Sequence, residues 1–352
     1  MEKIRCAVLG ATGVVGQHFL KLLVDHPYFE LVAVSASDAR AGMKLGDVKP
    51  LIKDGIPACF ANLVFDPMDM NILADRKVRI AFSALPADIA KKVEKEAAAK
   101  GIRVFSNASA YRMDPQVPIL IPEVNAEHLN LIEQQRKETE GYIVTNANCT
   151  TTGLAMALLP IVQFGIKKMI VASYQAISGA GYPGLSAMDI MGNVIPFIKG
   201  EEPKMRLECR KIFGAYNGAT IDDREWEIHA HCVRVPTMIG HLISVHAEVE
   251  QDVTQEQVVQ AIEDYRSPQE VSGLPTAPEY PVLYTSVPTR PQPGMDVDAG
   301  DTPRSKGMAV TIGRLEVEKN LIRFITLSNN LVRGAAGGSV LNAELAYRRN
   351  LL

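Results

Sequence analysis

The chain predicts an α/β fold in two parts, a parallel-sheet domain followed by a second, α+β domain. Three observations carry this expectation. Short apolar runs alternate with helical patterns through the first third, as strands joined by crossover helices do. A glycine-spaced turn, Gly10-Ala11-Thr12-Gly13-Val14-Val15-Gly16, links the first apolar run to the first helical pattern. From Lys168 onward the apolar runs lengthen and helices fall between them. With 352 residues and 47% hydrophobic content, the chain can bury a full core and divide into two domains.

In chain order, strands are expected at 4–9, 29–35, 78–84, 103–106 and 142–145, with helices at 14–24 and 87–100. A helix over 152–164 follows the last of these strands. In the second part, strands are expected at 169–175, 226–235, 241–250, 308–315 and 323–327. Helices fall at 188–198, 204–213 and 256–265. The Pro-rich stretch 267–307 reads as irregular, either a plain loop or a lid or oligomer contact. A last helix over 334–352 carries Arg348 and Arg349 near its end, where the helix dipole favours cations. It is free to return to the first domain.

Composition excludes several classes. A net charge of −3 gives no footprint for nucleic acid or an anionic membrane. No apolar run approaches the ~20 residues of a membrane span. The start Met1-Glu2-Lys3-Ile4-Arg5 enters a strand at once, which leaves no room for a signal peptide. The five cysteines are scattered, without a C-x-x-C pair, which suits a reducing compartment. The expectation is a cytoplasmic protein.

Cys149 is the candidate nucleophile. It lies in Thr145-Asn146-Ala147-Asn148-Cys149-Thr150, between an apolar strand and a helix. Unpaired backbone N–H groups and the dipole at a helix start favour the thiolate, the reactive form. The glycine-spaced turn is a variant of the dinucleotide fingerprint. Gly10 serves the tight turn, Gly13 the approach of a pyrophosphate, and Gly16 the helix–strand packing. An NAD site has an acidic residue at the tip of the second strand. Here the tip is Ser35, followed by Ser37, Arg40 and Lys44, and hydroxyls and cations suit the 2′-phosphate of NADP. Asp38 stands close enough to leave the ribose hydroxyl open as its partner.

Period-2 alternation separates the histidines of His241-Leu242-Ile243-Ser244-Val245-His246. His241 shares a face with Ile243 and Val245, at the end of its strand, where a general acid or base would stand. His246 falls on the opposite, polar face. Arg234 ends the apolar face Ile228, Ala230, Cys232, so it needs an anion, either a ligand carboxylate or an internal ion pair. His229 and His231 lack a third ligand nearby, and no metal site is expected. Arg112 follows a strand at a sheet's carboxyl edge. Glu208 and Lys211 share a helix face, which a surface ion pair would explain as well as a site.

Together these motifs resemble the aspartate-semialdehyde dehydrogenases, the archaeal/fungal-type branch in particular. The resemblance runs through GATGVVGQ at 10–17, FSALP at 82–86, SNASAYRM at 106–113, NANCTTTG at 146–153 and QAISGAGYPG at 175–184. It continues through IPFIKGEE at 195–202, HCVRVPTMIGH at 231–241 and LVRGAAGGSVLNAE at 331–344, nearly the whole chain. It implies a Rossmann-type NADP-binding domain from 1–149 with 330–352, and a catalytic and dimerisation domain over 150–329. It implies Cys149 as the nucleophile forming an acyl-enzyme thioester, His241 as acid/base, Gln175 as the residue positioning the acyl group, and Asn148 as an aid to the oxyanion site. It implies Arg234 for the substrate α-carboxylate, Glu208 for its amino group, and Arg112 and Lys211 for phosphate. Gly10, Thr12, Gly13, Val14, Val15, Ser35, Ser37, Arg40, Ser83, Ser178, Gly179 and Asn330 fall at cofactor positions. Ala147 departs from the family's usual proline, which should loosen the turn without removing a reactive group.

The implied reaction is reductive dephosphorylation of L-aspartyl 4-phosphate to L-aspartate 4-semialdehyde, in a homodimer or homotetramer. On the same scaffold the alternative is a malonyl-CoA or succinyl-CoA reductase. A third reading, from another class, is a dinucleotide-binding regulatory protein with an inert Cys149.

Overall fold

The computed structural model describes residues 2–352, apart from the side chain of Asp38, so the question of Asp38 and a ribose lies outside the described residues. The chain divides into two compact units. One runs through Ala147 and adds Tyr216–Ile221 and Ala335–Leu352; the other comprises Asn148–Ala215 and Asp222–Gly334.

The first unit holds β1 (Ile4–Leu9), α1 (Val14–Leu23), β2 (Phe29–Ser35), β3 (Phe65–Asp66), α2 (Met70–Asp75), β4 (Ile80–Ser83), α3 (Ala87–Ala99), β5 (Arg103–Ser106) and β6 (Tyr142–Thr145). All its strand pairs are parallel, in the order β3-β2-β1-β4-β5-β6. This is the Rossmann-type order, whose direction reverses between β1 and β4 and opens a crevice at the carboxyl ends of those strands. Alternation along the strands fills the two faces differently. Ala7, Leu9, Ala81 and Val104 join one apolar cluster. On the other face Phe29, Phe82, Phe105 and Tyr142 form a ladder of rings with centroids 5.8–6.4 Å apart. Each such aromatic pair adds about 1 kcal/mol beyond its burial.

The C-terminal helix Gly337–Arg348 belongs to this unit. His26 Nδ1 accepts the N–H groups of Tyr28 and Phe29, so its Nε2–H donates to Glu344 Oε1 at 2.9 Å. Both side chains are fully buried. The helix is shorter than expected. A π-helical turn, Val332–Ala336, precedes it, because the glycines and alanines of this stretch allow a wider backbone turn.

The second unit holds α4 (Cys149–Leu158), β7 (Ile166–Gln175), α5 (Glu201–Ile212), β8 (Glu227–Arg234), β9 (His241–Val249), α6 (Gln255–Asp264), β10 (Val282–Tyr284), β11 (Val310–Glu318) and β12 (Leu321–Ser328). Its mixed sheet runs β8-β7-β9-β12-β11-β10. The alternation read from sequence holds. Ile228, Ala230, Cys232, Arg234, His241, Ile243 and Val245 are buried on one face, while Ile170 and Tyr174 on the other are 55% and 41% exposed.

Three expectations are corrected here. The helix after Cys149 starts three residues earlier than expected and ends at Leu158, ahead of Pro160, which has no N–H for a helical bond. The helix expected over 188–198 is only Ala187–Ile190, because Gly192 at φ +69° and Pro196 interrupt it. Within the stretch expected to be irregular, Val282–Tyr284 adds a strand parallel to β11, and it is too short to register as a pattern.

Candidate active site

Cys149 is the first residue of α4. Asn148 caps that helix: its Oδ1 accepts the N–H groups of Thr150 at 2.9 Å and Thr151 at 3.2 Å. This cap is why the helix begins at the cysteine. The backbone N–H of Asn148 donates to Glu208 Oε2 at 2.6 Å, and its Nδ2 donates to Glu201. Both ends of the Asn148 amide are therefore engaged within the protein. Together these bonds hold the turn at Cys149.

His241 Nε2 lies 3.3 Å from Cys149 Sγ. Its other nitrogen, Nδ1, accepts the backbone N–H of Ala176 at 3.0 Å. A backbone N–H only donates, so Nδ1 is unprotonated and the ring proton sits on Nε2, facing the sulfur. The ring is fully buried. Burial first, then the positive charge of Arg234, holds the imidazole down to about 3, so it is neutral at ordinary pH.

Arg234 ends β8 and is 5% exposed. Its Nη1 donates to Ala176 O at 2.7 Å, and among the described residues it forms no ion pair. Burial lowers its ordinary pKa, and the negative charges of Cys149 and Glu201 oppose that shift. A buried guanidinium without a paired carboxylate is a receptor for one. Gly179 packs directly on this pair. A Cβ there would stand 2.8 Å from Arg234 Nη1 and 3.1 Å from the His241 ring. Gln175, at the end of β7, gives its Nε2 to Ser173 Oγ at 3.1 Å and Glu201 Oε2 at 3.4 Å. Asn330 ties Ser178 to the turn before β9, donating to Ser178 Oγ and accepting from the Gly240 N–H, both at 2.9 Å. Glu208 and Lys211 are both buried, so they are not the surface ion pair that spacing alone allowed.

In the first unit, Gly10 has φ +80°, and a Cβ there would lie 2.8 Å from Ala84 O, so the turn accepts only glycine. Gly13 caps α1 without a side-chain bond, which leaves the N–H groups of its first turn, beside Thr12, Val14 and Val15, for an anion. Ser35 and Ser83 end β2 and β4 beside β1, at the reversal of strand order, and both are fully buried. Ser35 Oγ and Ser83 Oγ are both without a hydrogen-bond partner. Ser37 and Arg40 are exposed on the short turn after β2. Arg112 is buried, with Nε on Asn146 O at 2.9 Å and Nη2 on Asn107 O at 2.8 Å, so its loop is fixed to the ends of β5 and β6.

Comparison with known proteins decides the lineage. Residues 5–132 match the semialdehyde dehydrogenase NAD binding domain, and residues 158–333 the semialdehyde dehydrogenase dimerisation domain. The aspartate-semialdehyde dehydrogenase of Archaeoglobus fulgidus is 45% identical over 98% of both chains. The chain belongs to the aspartate-semialdehyde dehydrogenase family. A crystal structure of the Candida albicans family member with NADP superposes with a TM-score of 0.89, at 33% identity over 100% of both chains. A malonyl CoA reductase (NADP) from Metallosphaera sedula is 36% identical over 99% of this chain and 98% of its own.

Two groups that meet these side chains were not read from the sequence. Glu201 lay unremarked inside the IPFIKGEE motif, although an acidic residue at a helix start was a visible signal. The Ala176 N–H, being backbone, had no sequence signal.

Proposed function

We propose that this chain is an NADP-dependent aspartate-semialdehyde dehydrogenase that interconverts L-aspartyl 4-phosphate and L-aspartate 4-semialdehyde through a thioester on Cys149. The observation that carries the proposal is the Cys149–His241 contact beside a buried arginine without an ion pair. In the biosynthetic direction the Cys149 thiolate attacks the acyl carbon, the bond from carbon to the phosphate oxygen breaks, and phosphate leaves. Bound NADPH supplies the hydride that reduces the thioester. The carbon then carries an alkoxide oxygen and the sulfur. The alkoxide collapses to the aldehyde as the C–S bond breaks and the thiolate departs. In place of the acid/base role expected from the sequence, His241 serves through Nε2–H, which stabilises first the alkoxide and then the thiolate, so no proton needs to leave the ring.

Arg234 receives the substrate α-carboxylate and Glu208 its amino group. Arg112 and Lys211 take phosphate, and Gln175 positions the acyl group. The cofactor roles fall to the Gly10–Val15 turn, Ser35, Ser37, Arg40, Ser83, Ser178, Gly179 and Asn330. We assign NADP binding chiefly to the first unit, and catalysis with subunit contact to the second, which takes in Asn148 and Cys149 and runs to Gly334, so the boundaries expected at 149 and 330 move to 147 and 334. The exposed sheet face around Ile170 and Tyr174 supports a homodimer, or a homotetramer built from it. Among the described residues no helix is long and apolar enough to cross a membrane, and a cytoplasmic enzyme is the proposal consistent with free thiols.

A steady-state assay tests the reading. NADPH should form from aspartate semialdehyde, NADP and phosphate. No NADPH under those conditions, with NADPH oxidation on malonyl-CoA, would replace the aspartyl substrate with a CoA thioester.

A further inference from the structure

Glu201 opens α5, is 8% exposed, and has no part in the chemistry above. Its carboxylate nevertheless joins the two amides nearest that chemistry. Asn148 Nδ2 donates to Oε2 at 2.9 Å and to Oε1 at 3.2 Å, and Gln175 Nε2 donates to Oε2 at 3.4 Å. Lys204 Nζ, at 3.0 Å from Oε1, keeps the carboxylate paired with a cation.

An ionised carboxylate only accepts, so both amides must turn their NH2 ends toward it. Each planar amide then turns its oxygen away. For Asn148 that oxygen meets the N–H groups of Thr150 and Thr151 and caps the nucleophile's helix. For Gln175, with Nε2 between Ser173 Oγ and Glu201, it is Oε1 that turns away from both. We infer that Glu201 is a positioning residue, whose carboxylate sets the orientation of the Asn148 and Gln175 amides and through them the Cys149 turn and the acyl group. The inference rests on the reading of Cys149 as the nucleophile.

Both amides meet at Oε2, so a glutamine at 201 can serve both only by placing its NH2 where Oε1 stands, donor against donor with Asn148 Nδ2 and Lys204 Nζ. The charge and the second acceptor that hold the Asn148 amide are then lost. A flipped Asn148 would set donor against donor at Thr150 and Thr151 and undo the cap.

The test is the Glu201→Gln variant of the full chain, assayed with semialdehyde, NADP and phosphate, together with the rate of Cys149 alkylation by iodoacetamide at pH 7. The expected result is a kcat about thirtyfold lower, as for a lost charge-assisted hydrogen bond, with KM values within about threefold. Alkylation should slow about fivefold, as for a lost helix cap. Adding Glu201→Gln to Gln175→Ala should lower kcat by no more than about fivefold further, the share carried through Asn148, because the share carried through Gln175 is already gone. A purely structural Glu201 would not produce that coupling. A kcat within threefold of wild type with unchanged alkylation overturns the inference, and so do effects that multiply in the double variant. If Glu201→Gln does not fold, Glu201→Asp keeps the charge, withdraws it by one methylene, and must show the same coupling. Alkylation requires no substrate. A wild type inactive on semialdehyde but a Glu201 variant slow to alkylate would therefore sink the proposed reaction and leave this inference standing.

Discussion

Acid should destabilise the second unit through His241. The unfolded imidazole titrates at about 6.5, whereas in the folded protein burial, and then Arg234, hold it down to about 3. The Ala176 N–H on Nδ1 works in the same direction, since a protonated ring would oppose one N–H with another. The sign follows from where protons bind. Below pH 6.5 the unfolded chain takes up a proton that the folded chain refuses, so stability is full above 6.5 and falls as pH drops toward 3. Between pH 7.5 and pH 5 the loss from this one group is about 2 kcal/mol. The figure barely changes if the folded value is a unit higher, because pH 5 still lies above it. Urea unfolding followed by fluorescence reads the effect locally, because the single tryptophan, Trp226, is buried in the second unit. Other groups titrate alike in wild type and His241→Gln, so the variant should lose about 2 kcal/mol less over the same range. Equal losses in the two proteins would show that His241 is not held neutral, and the proton assignment to Nε2 would go with it.

The remaining predictions concern the site and its frame. Gly179→Ala puts a methyl group against Arg234 and His241, so KM for the semialdehyde should rise about tenfold while thermal stability stays within a few degrees; an unchanged KM would remove Gly179 from the substrate's surroundings. Cys149→Ser should lower turnover at least about a thousandfold and leave NADP affinity, read by fluorescence titration, unchanged. Arg40→Ala should raise the KM for NADPH about tenfold without altering that for NADH, and an equal change in both would dissociate Arg40 from the 2′-phosphate. Glu344→Ala leaves the buried His26 N–H unpaired and should cost about 2–3 kcal/mol in urea unfolding.

What the sequence made legible follows its periodicities. The two faces of β8 and β9 were readable because alternation by two residues separates His241 and Arg234 from their polar neighbours without any tertiary knowledge. The parallel character of the first unit was legible in the alternation of strands with helices, whereas its edge strand β3, only two residues long, left no pattern. The start of α4 was misjudged because the cap depends on a side chain, Asn148, whose free orientation a long-range carboxylate determines. The same holds for the tautomer of His241, which a backbone N–H sixty-five residues away in sequence fixes. Such partners leave no local pattern, since any residue supplies an N–H and any surface helix carries glutamates.

The helix Gly337–Arg348 closes the first unit yet follows the whole of the second unit in the chain. On a ribosome, the parallel sheet emerges early, with His26 and the apolar ground beneath that helix uncovered. At about 5–20 residues per second, the second unit takes on the order of ten to forty seconds to follow. Throughout that interval the first unit lacks the helix that buries His26 and its apolar surroundings. Completion of the first unit is thereby made contingent on synthesis of the whole second unit, so a chain terminated before Ala335 leaves the first unit unfinished.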